Sequence, residues 1–319
     1  MRVLCADAVE ESLVAELSGL GLEVVVDAAL TPEALPAAAA GFDILVVRST
    51  KVTRSVFESA TSIRLVVRAG SGVNTIDVAA AIEQGVGVTN VPGRNAIAVA
   101  ELTLGLILAI DRRIPTASAQ LHDGRWDKKR FSQATGIQGR TLGILGFGGI
   151  GRAVAERAVA FGMRVITLER PSRDELGRAA VERLGIELVE PHEELIRRSD
   201  ILTLHVPGGQ DTRHLIGAPE LADLGPAGIL INTSRGDVVD EVALLAALEG
   251  GLRAGLDVFA DEPSAGSADW NSPIASHANV IATPHIGAST EQAQQAVAAG
   301  VFELIEGFAA GRAIPLVSA

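Results

Sequence analysis

Short, uninterrupted runs of Val, Ile and Leu recur from one end of the chain to the other, and they constrain the fold more than any other feature. "RVLCAD", "LEVVVD", "FDILVVRS", "RLVVRAG" and "GVGVTNVP" all lie within the first 92 residues. A strand with one wet face alternates apolar and polar positions. These runs do not, so both faces of each must be covered, as in a parallel sheet with helices on either side. A second series repeats the pattern with "TLGILGFG", "MRVITLE", "DILTLHVP", "GILINTSR", "RAGLDVF" and "NVIATPH". Helix-length segments separate the runs, which predicts an α/β protein of two doubly wound parallel-sheet domains.

A chain of 319 residues accommodates two such domains, each of about 150 residues with a core of its own. The expected division gives residues 1–95 plus 286–319 to one, discontinuous domain and 96–285 to the other, larger one. Residues 96–111, "AIAVAELTLGLILAID", read as one long helix interrupted only by Gly105. It is too apolar to be exposed, so it is buried or lies at a subunit interface. The last segment, "STEQAQQAVAAGVFELIEGFAAG", opens with Ser289, Thr290 and Glu291 as helix-start signals and is expected to pack back on the first domain. Between the last two strands, "DEPSAGSADWNSP" at 261–273 reads as a turn-rich loop.

Composition narrows the partners. Asp and Glu exceed Lys and Arg by 39 to 27, a net charge of −12, which disfavours nucleic acid and anionic membranes overall. An anionic small substrate then needs a locally basic pocket. The start "MRVLCADAVEE" has no long apolar stretch and no run is long enough to span a bilayer, so a soluble cytoplasmic protein is expected. The single cysteine, Cys5, reads as a small core residue and supports neither a disulfide nor a cysteine-rich zinc site. With no tyrosine in the chain, chemistry that depends on a tyrosine acid is excluded.

In "TLGILGFGGIGRAVAERAVAFGMRVITLER", Gly146, Gly148 and Gly151 follow a strand and open a helix. Such glycines permit a tight turn and close approach of a pyrophosphate, which rests on the free N–H groups and positive dipole end of the helix. They make 96–285 an NAD-binding domain of Rossmann dinucleotide-binding type and leave 1–95 plus 286–319 as the substrate-binding domain, with a purely structural glycine turn as the alternative. Glu169, at the end of the next strand, suits the ribose hydroxyls of NAD and repels a 2′-phosphate, whereas Arg170 and Arg173 behind it could hold one, so NAD is expected and NADP is not excluded.

Ligands in open α/β sheets bind beyond the carboxyl ends of strands. Of the six histidines, only His205 and His285 stand there. Pro284 and Gly287 fix a turn around His285, while His205 reads as a structural residue near the cofactor. Three strand ends thus supply Arg235, Glu262 and His285. Arg235 suits two-pronged binding of a substrate carboxylate, with an ion pair to Asp237 or Asp240 as the bland alternative. Glu262 would orient the His285 imidazole and favour its protonated form, and His285 would exchange a proton with the substrate oxygen.

"LGILGFGGIG", "INTSRGDVVDEVAL", "GLDVFADEP" and "TPHIGAST" stand in the order and spacing of four blocks of the D-isomer-specific 2-hydroxyacid dehydrogenases, and the sequence resembles that family over nearly its whole length. "VVRSTKVT", "VVRAGSGVNTID" and "HIGASTEQAQ" look most like its phosphoglycerate dehydrogenases. The resemblance implies Arg235, Glu262 and His285 as the catalytic triad. It implies cofactor contacts at Ser71, Gly149, Ile150, Glu169, Val206, Thr233, Ser234, Asp257, Gly287 and Ala288. It also implies substrate contacts at Arg48, Ser49, Gly70, Ser71, Gly72 and Asn95, beside Arg235 and His285.

The chain departs from many relatives at Glu169, where Asp is common, at Asn74 and Thr75, where an Asp-Asn pair is common, and at Gly149, which replaces a larger polar residue. No regulatory serine-binding domain is expected beyond Ala319, and serine feedback through such a domain is expected to be absent.

The implied activity is NAD-dependent oxidation of D-3-phosphoglycerate to 3-phosphohydroxypyruvate, the first step of serine biosynthesis. A glyoxylate or hydroxypyruvate reductase is the alternative on the same scaffold, and an NAD-sensing corepressor-like binding protein the alternative of another class. Similar enzymes are homodimers joined around the long apolar helix. The basic run after it, with Arg125, Lys128, Lys129 and Arg130, is either a solvated face or a loop reaching a neighbouring subunit's cleft. No metal is expected.

Overall fold

Both series of apolar runs form parallel strands. The computed structural model describes residues 1–263 and 267–317, so residues 264–266 of the turn-rich loop lie outside the described residues. The chain divides into two compact units, Met1–Asn95 with Ser289–Ala319, and Ala96–Ala288.

The first unit holds β1 (Arg2–Cys5), β2 (Glu23–Val26), β3 (Ile44–Val47), β4 (Leu65–Arg68) and β5 (Gly87–Asn90). They lie in the order β2-β1-β3-β4-β5, with every pairing parallel. The absence of alternation in the runs is explained by helices on both faces. Val3 and Cys5 join Leu13, Leu17 and Ile305 in one core layer, while Leu4 joins Leu35 and Phe57 in the other. Cys5 is buried, and its thiol is pushed up to about 12 by burial and then by Asp7, which suits an inert core residue. The helix Glu291–Ala309, capped by the Thr290 side chain on the Ala293 N–H, supplies Val301 and Ile305 to this unit's core.

The second unit holds β6 (Thr141–Leu145), β7 (Arg164–Leu168), β8 (Glu187–Val189), β9 (Ile201–Leu204), β10 (Ile229–Asn232), β11 (Arg253–Leu256) and β12 (Val280–Ala282). Their order is β12-β11-β10-β9-β6-β7-β8, again parallel throughout. β8 is the strand that the apolar runs did not announce. It sits at the sheet edge and buries only Val189 fully, so it lacks the continuous hydrophobic signature of a central strand.

The long apolar helix spans Ala96–Arg112 and buries ten of its residues, among them Leu104, Ile107 and Ile110. Its buried Asp111 accepts the Gly136 N–H at 3.1 Å and lies 3.9 Å from Arg140. Among the described residues, no helix is long and apolar enough to cross a membrane.

Each sheet reverses its winding once, between β1 and β3 in the first and between β6 and β9 in the second. These reversals matter because the connections leave in opposite directions there and open a crevice beyond the carboxyl ends of the strands.

Candidate active site

The crevice of the second unit is lined first by the glycine turn after β6. Gly146 has φ 100, and a Cβ there would stand 2.5 Å from the His205 carbonyl carbon, so only glycine lets the β6 and β9 ends meet. A Cβ at Gly151 would stand 2.2 Å from the Gly146 carbonyl oxygen, which makes it the packing glycine of the turn. Gly148 is different: a Cβ there meets nothing within 4 Å, and no side chain caps the helix Gly149–Ala160 that it introduces. That opening, with uncapped N–H groups behind it, fits a pyrophosphate. Gly149 and Ile150 occupy the first turn of the helix.

At the end of β7, Glu169 is half-buried and its Oε1 accepts the Arg170 N–H at 2.9 Å. Arg173 folds back over it. Its guanidinium donates to the Leu168 carbonyl and lies 5.1 Å from the centre of the Phe147 ring.

The turn after β10 presents Arg235. Asn232, the last residue of the strand and 1% exposed, organises it: its Oδ1 accepts the Ser234 N–H at 3.0 Å and the Ser234 hydroxyl at 2.8 Å, and its Nδ2 donates to the Arg235 carbonyl at 2.8 Å. Thr233 and Ser234 are buried in that turn, and the Thr233 hydroxyl lies 3.1 Å from that of Thr103. Arg235 is half-buried and donates to the Ser234 carbonyl at 2.6 Å. No ion pair to Asp237 or Asp240 forms among the described residues, so the bland reading of this arginine finds no support. Gly236 permits the neighbouring loop to press close, since a Cβ there would lie 2.0 Å from the Phe259 carbonyl carbon.

The loop pressed against Gly236 carries Glu262. Its Oε1 accepts the Phe259 N–H at 2.9 Å and its Oε2 lies 2.6 Å from His285 Nδ1. Burial pushes the Glu262 carboxyl up, but the bonds from His285 and the Phe259 amide, with the nearby charges of His285 and Arg235, outweigh it and hold the group below its ordinary range. The imidazole responds in the opposite sense. The hydrogen bond to Glu262 raises the pKa of His285, reinforced by the charges of Glu262 and Asp257, against burial and the Arg235 guanidinium. With Nδ1 bonded to a carboxylate, Nε2 is the ring nitrogen left to exchange a proton.

His285 has φ 52, a left-handed conformation unusual for a residue with a side chain. Asp257 is the reason that it holds. This carboxylate, 1% exposed at the end of β11, accepts the Thr283 hydroxyl at 2.6 Å, the Ile286 N–H at 2.9 Å and the Gly287 N–H at 2.8 Å. The Asp257 carbonyl also accepts the His285 N–H at 2.9 Å. Gly287 is buried in this clamp and Ala288 is half-buried after it. The resemblance implied a cofactor contact at Asp257; here both its carboxylate oxygens serve the histidine loop.

His205 fits the structural reading. Its Nε2 lies 3.0 Å from the Thr203 hydroxyl, and burial pushes the imidazole down to about 3, so it stays neutral. Val206 follows it with its backbone against Gly146.

In the first unit the expected substrate residues gather at the carboxyl ends of β3, β4 and β5. Arg48 and Ser49 follow β3, with Arg48 half-buried and Ser49 exposed. Gly70, φ 153, follows β4, and the Arg68 guanidinium occupies the place where its Cβ would be. Ser71 donates its hydroxyl to Asn95 Oδ1 at 2.9 Å and accepts Asn90 Nδ2 on its carbonyl at 2.5 Å, with Gly72 half-buried next to it. Two residues outside the expected set stand out: Asn232, described above, and Asp7, which ties down the turn of Arg48 and Ser49.

Comparison with known proteins shows the family and the fold. The profile of the NAD-binding domain of D-isomer specific 2-hydroxyacid dehydrogenases matches residues 104–287. The D-3-phosphoglycerate dehydrogenase of Methanocaldococcus jannaschii is 44% identical over 309 residues, covering 96% of this chain and 57% of that protein. The hydroxypyruvate reductase of Thermotoga maritima is 42% identical over 267 residues, 83% of either chain. Among solved structures, a glyoxylate reductase from Paecilomyes thermophila superposes with a TM-score of 0.87 at 27% identity, covering 99% of this chain and 98% of that one. The chain thus spans little more than half the length of the Methanocaldococcus jannaschii enzyme and most of the length of the two reductases. With its two parallel sheets, its glycine turn and these relatives, the chain belongs to the D-isomer specific 2-hydroxyacid dehydrogenases, a family that works with a nicotinamide dinucleotide.

Proposed function

We propose that the protein catalyses NAD-dependent oxidation of D-3-phosphoglycerate to 3-phosphohydroxypyruvate, the first step of serine biosynthesis, as a homodimer. The observation that carries the reading is the 2.6 Å contact between His285 Nδ1 and Glu262 Oε2, on a loop pressed against the turn that bears Arg235. The bound dinucleotide supplies the hydride acceptor. Arg235 holds the substrate carboxylate, and neutral His285 takes the hydroxyl proton on Nε2 while Glu262 stabilises the imidazolium that results. In the reverse direction the imidazolium returns that proton. Arg48, Ser49, Gly70, Ser71, Gly72 and Asn95 are the proposed substrate contacts of the first unit.

NAD rather than NADP is supported by Glu169, and by Arg173, whose guanidinium is engaged with the Leu168 carbonyl. The cofactor contacts are proposed at the glycine turn, at Glu169, and at Ser71, Val206, Thr233, Ser234, Asp257, Gly287 and Ala288. Dimerisation is supported by the helix Ile114–His122, which buries none of its residues and leaves Ile114, Leu121 and the following Trp126 exposed. Lys129 and Arg130 are exposed beyond it, in a position for a loop that crosses to a second copy.

A second reading, reduction of hydroxypyruvate or glyoxylate, is supported by the reductase match over 83% of either chain. Arg235, Glu262 and His285 act on the shared 2-hydroxy acid unit and do not choose between these substrates. kcat/KM for D-3-phosphoglycerate, D-glycerate and glycolate with NAD and with NADP, and for the corresponding keto acids in reverse, makes the choice. The leading reading expects the phosphorylated substrate with NAD to exceed the others by roughly a hundredfold or more. Preference for an unphosphorylated acid replaces it with the second reading.

A further inference from the structure

Asp7 stands two residues past β1, at the point where the first sheet reverses its winding. Its Oδ2 accepts three successive backbone N–H groups from the turn after β3: Arg48 at 2.6 Å, Ser49 at 3.1 Å and Thr50 at 3.1 Å. Its Oδ1 lies 3.1 Å from the Thr50 hydroxyl, which also reaches the Ala6 carbonyl at 3.1 Å.

Three consecutive N–H groups turned toward one point form a concave anion site. In this chain that site is already filled from within by a carboxylate. A substrate anion arriving at this turn therefore finds its amides satisfied, and residues 48–50 can receive it only through their side chains. The same bonds fix where those side chains begin. With the backbone of residues 48–50 held on one carboxylate, Arg48 and Ser49 depart from a single defined geometry.

We propose that Asp7 is a positioning residue for substrate recognition: it occupies the amide concavity after β3 and thereby presents the side chains of Arg48 and Ser49 to the substrate's anionic group. The proposal rests on the reading of Arg48 and Ser49 as substrate contacts. Loss of Asp7 acts on KM through a misdirected Arg48 while the second unit keeps its hydride chemistry.

The test compares Asp7→Ala, Asp7→Asn and Arg48→Gln in the full chain. Steady-state kinetics, NADH binding by fluorescence and amide hydrogen exchange across residues 46–52 are read for each. Asp7→Ala is expected to raise the substrate KM by about tenfold or more, with a much smaller change in kcat and unchanged NADH affinity, and to speed exchange at 48–50. Asp7→Asn keeps one acceptor oxygen and is expected to recover part of the KM.

If Asp7→Ala does not fold, Asp7→Asn alone decides the matter by whether KM and exchange at 48–50 rise together. Faster exchange at 48–50 without a change in KM overturns the proposal, as does a fall in kcat and NADH affinity equal to the rise in KM. An unchanged KM in Arg48→Gln instead removes the substrate reading on which the proposal rests. A raised KM in Arg48→Gln with none in the Asp7 variants removes the Asp7 inference alone.

Discussion

The carboxylate that follows β1 and the one that follows β11 make nearly the same bonds in different surroundings. Asp7 gathers three amides and lies near the hydroxyl of Thr50 after the neighbouring strand β3, whereas Asp257 gathers two amides and the hydroxyl of Thr283 after the neighbouring strand β12. Asp257 is 1% exposed and Asp7 is half-buried. The backbone they hold differs as well. The β12 turn includes His285 at φ 52, a conformation that costs on the order of 1 kcal/mol for a residue with a Cβ, while no residue of the β3 turn has a positive φ. One device thus holds two kinds of turn: in the second unit a strained backbone that carries His285, the proposed proton-transfer group, and in the first an unstrained one that carries Arg48, the proposed substrate cation.

The comparison breaks most readily at Asp257. Replacing it with alanine strands two amides and a hydroxyl in a buried place, and each such loss costs about 1–3 kcal/mol. Asp257→Ala is expected to lose about 3 kcal/mol or more of stability and to lower kcat by roughly a hundredfold or more as His285 leaves its geometry. Denaturant unfolding and turnover measure both. Near-normal turnover with unaltered exchange at 286–287 would show that the strained turn holds itself without the clamp.

The next largest effect isolates what the clamped histidine owes to Glu262. In the proposed reaction the raised pKa of His285 keeps the imidazolium, and with it keto-acid reduction, to a higher pH than a free histidine would, and reduction is expected to fall as pH rises through that pKa. Oxidation needs the neutral ring and rises over the same interval. Glu262→Gln removes the carboxylate charge and weakens the bond at Nδ1, which leaves burial and Arg235, which lower the pKa, opposed only by the charge of Asp257. The descending limb of kcat/KM for reduction is expected to move to lower pH, with a rate loss of roughly a hundredfold at neutral pH. A pH profile that stays in place would sink the assignment of His285 as the titrating group.

Much of this was legible in the sequence where a residue's role is advertised by its neighbours in the chain. Uninterrupted runs such as "ILVV" and "ILIN" announced strands with two buried faces, and the spacing of Gly146, Gly148 and Gly151 announced a turn before a helix. Arg235, Glu262 and His285 stood out because each is charged or titratable just past an apolar strand. β8 escaped because Glu187 and Glu190 cut its apolar residues down to the pair Leu188 and Val189. Asp7 and Asn232 escaped for another reason. Their partners are mainly backbone groups, and those of Asp7 lie 41 to 43 residues away, so neither periodicity nor side-chain type records the bond. The left-handed backbone of His285 left no mark either, because positive φ is foreshadowed by glycine and this position has none.

The smallest and most pointed effect comes from the two threonines that complete the clamps. Thr283 donates to Asp257 over 2.6 Å, a short charge-assisted bond to a buried acceptor, whereas the single hydroxyl proton of Thr50 is shared between Asp7 and the Ala6 carbonyl, each at 3.1 Å. Valine keeps the shape of threonine and removes the donor. Thr283→Val is therefore expected to cost about 1.5–3 kcal/mol locally, and Thr50→Val about 1 kcal/mol or less. Amide exchange at 286–287 and at 48–50 reads the two openings separately, without requiring both units to unfold together. The kinetic readouts should cross, with Thr283→Val lowering kcat through His285 and Thr50→Val raising KM through Arg48. If both substitutions changed the same kinetic constant, the two clamps could not be serving separate steps. The likeness of their hydrogen bonds would then reflect only how a doubly wound sheet closes its crevice.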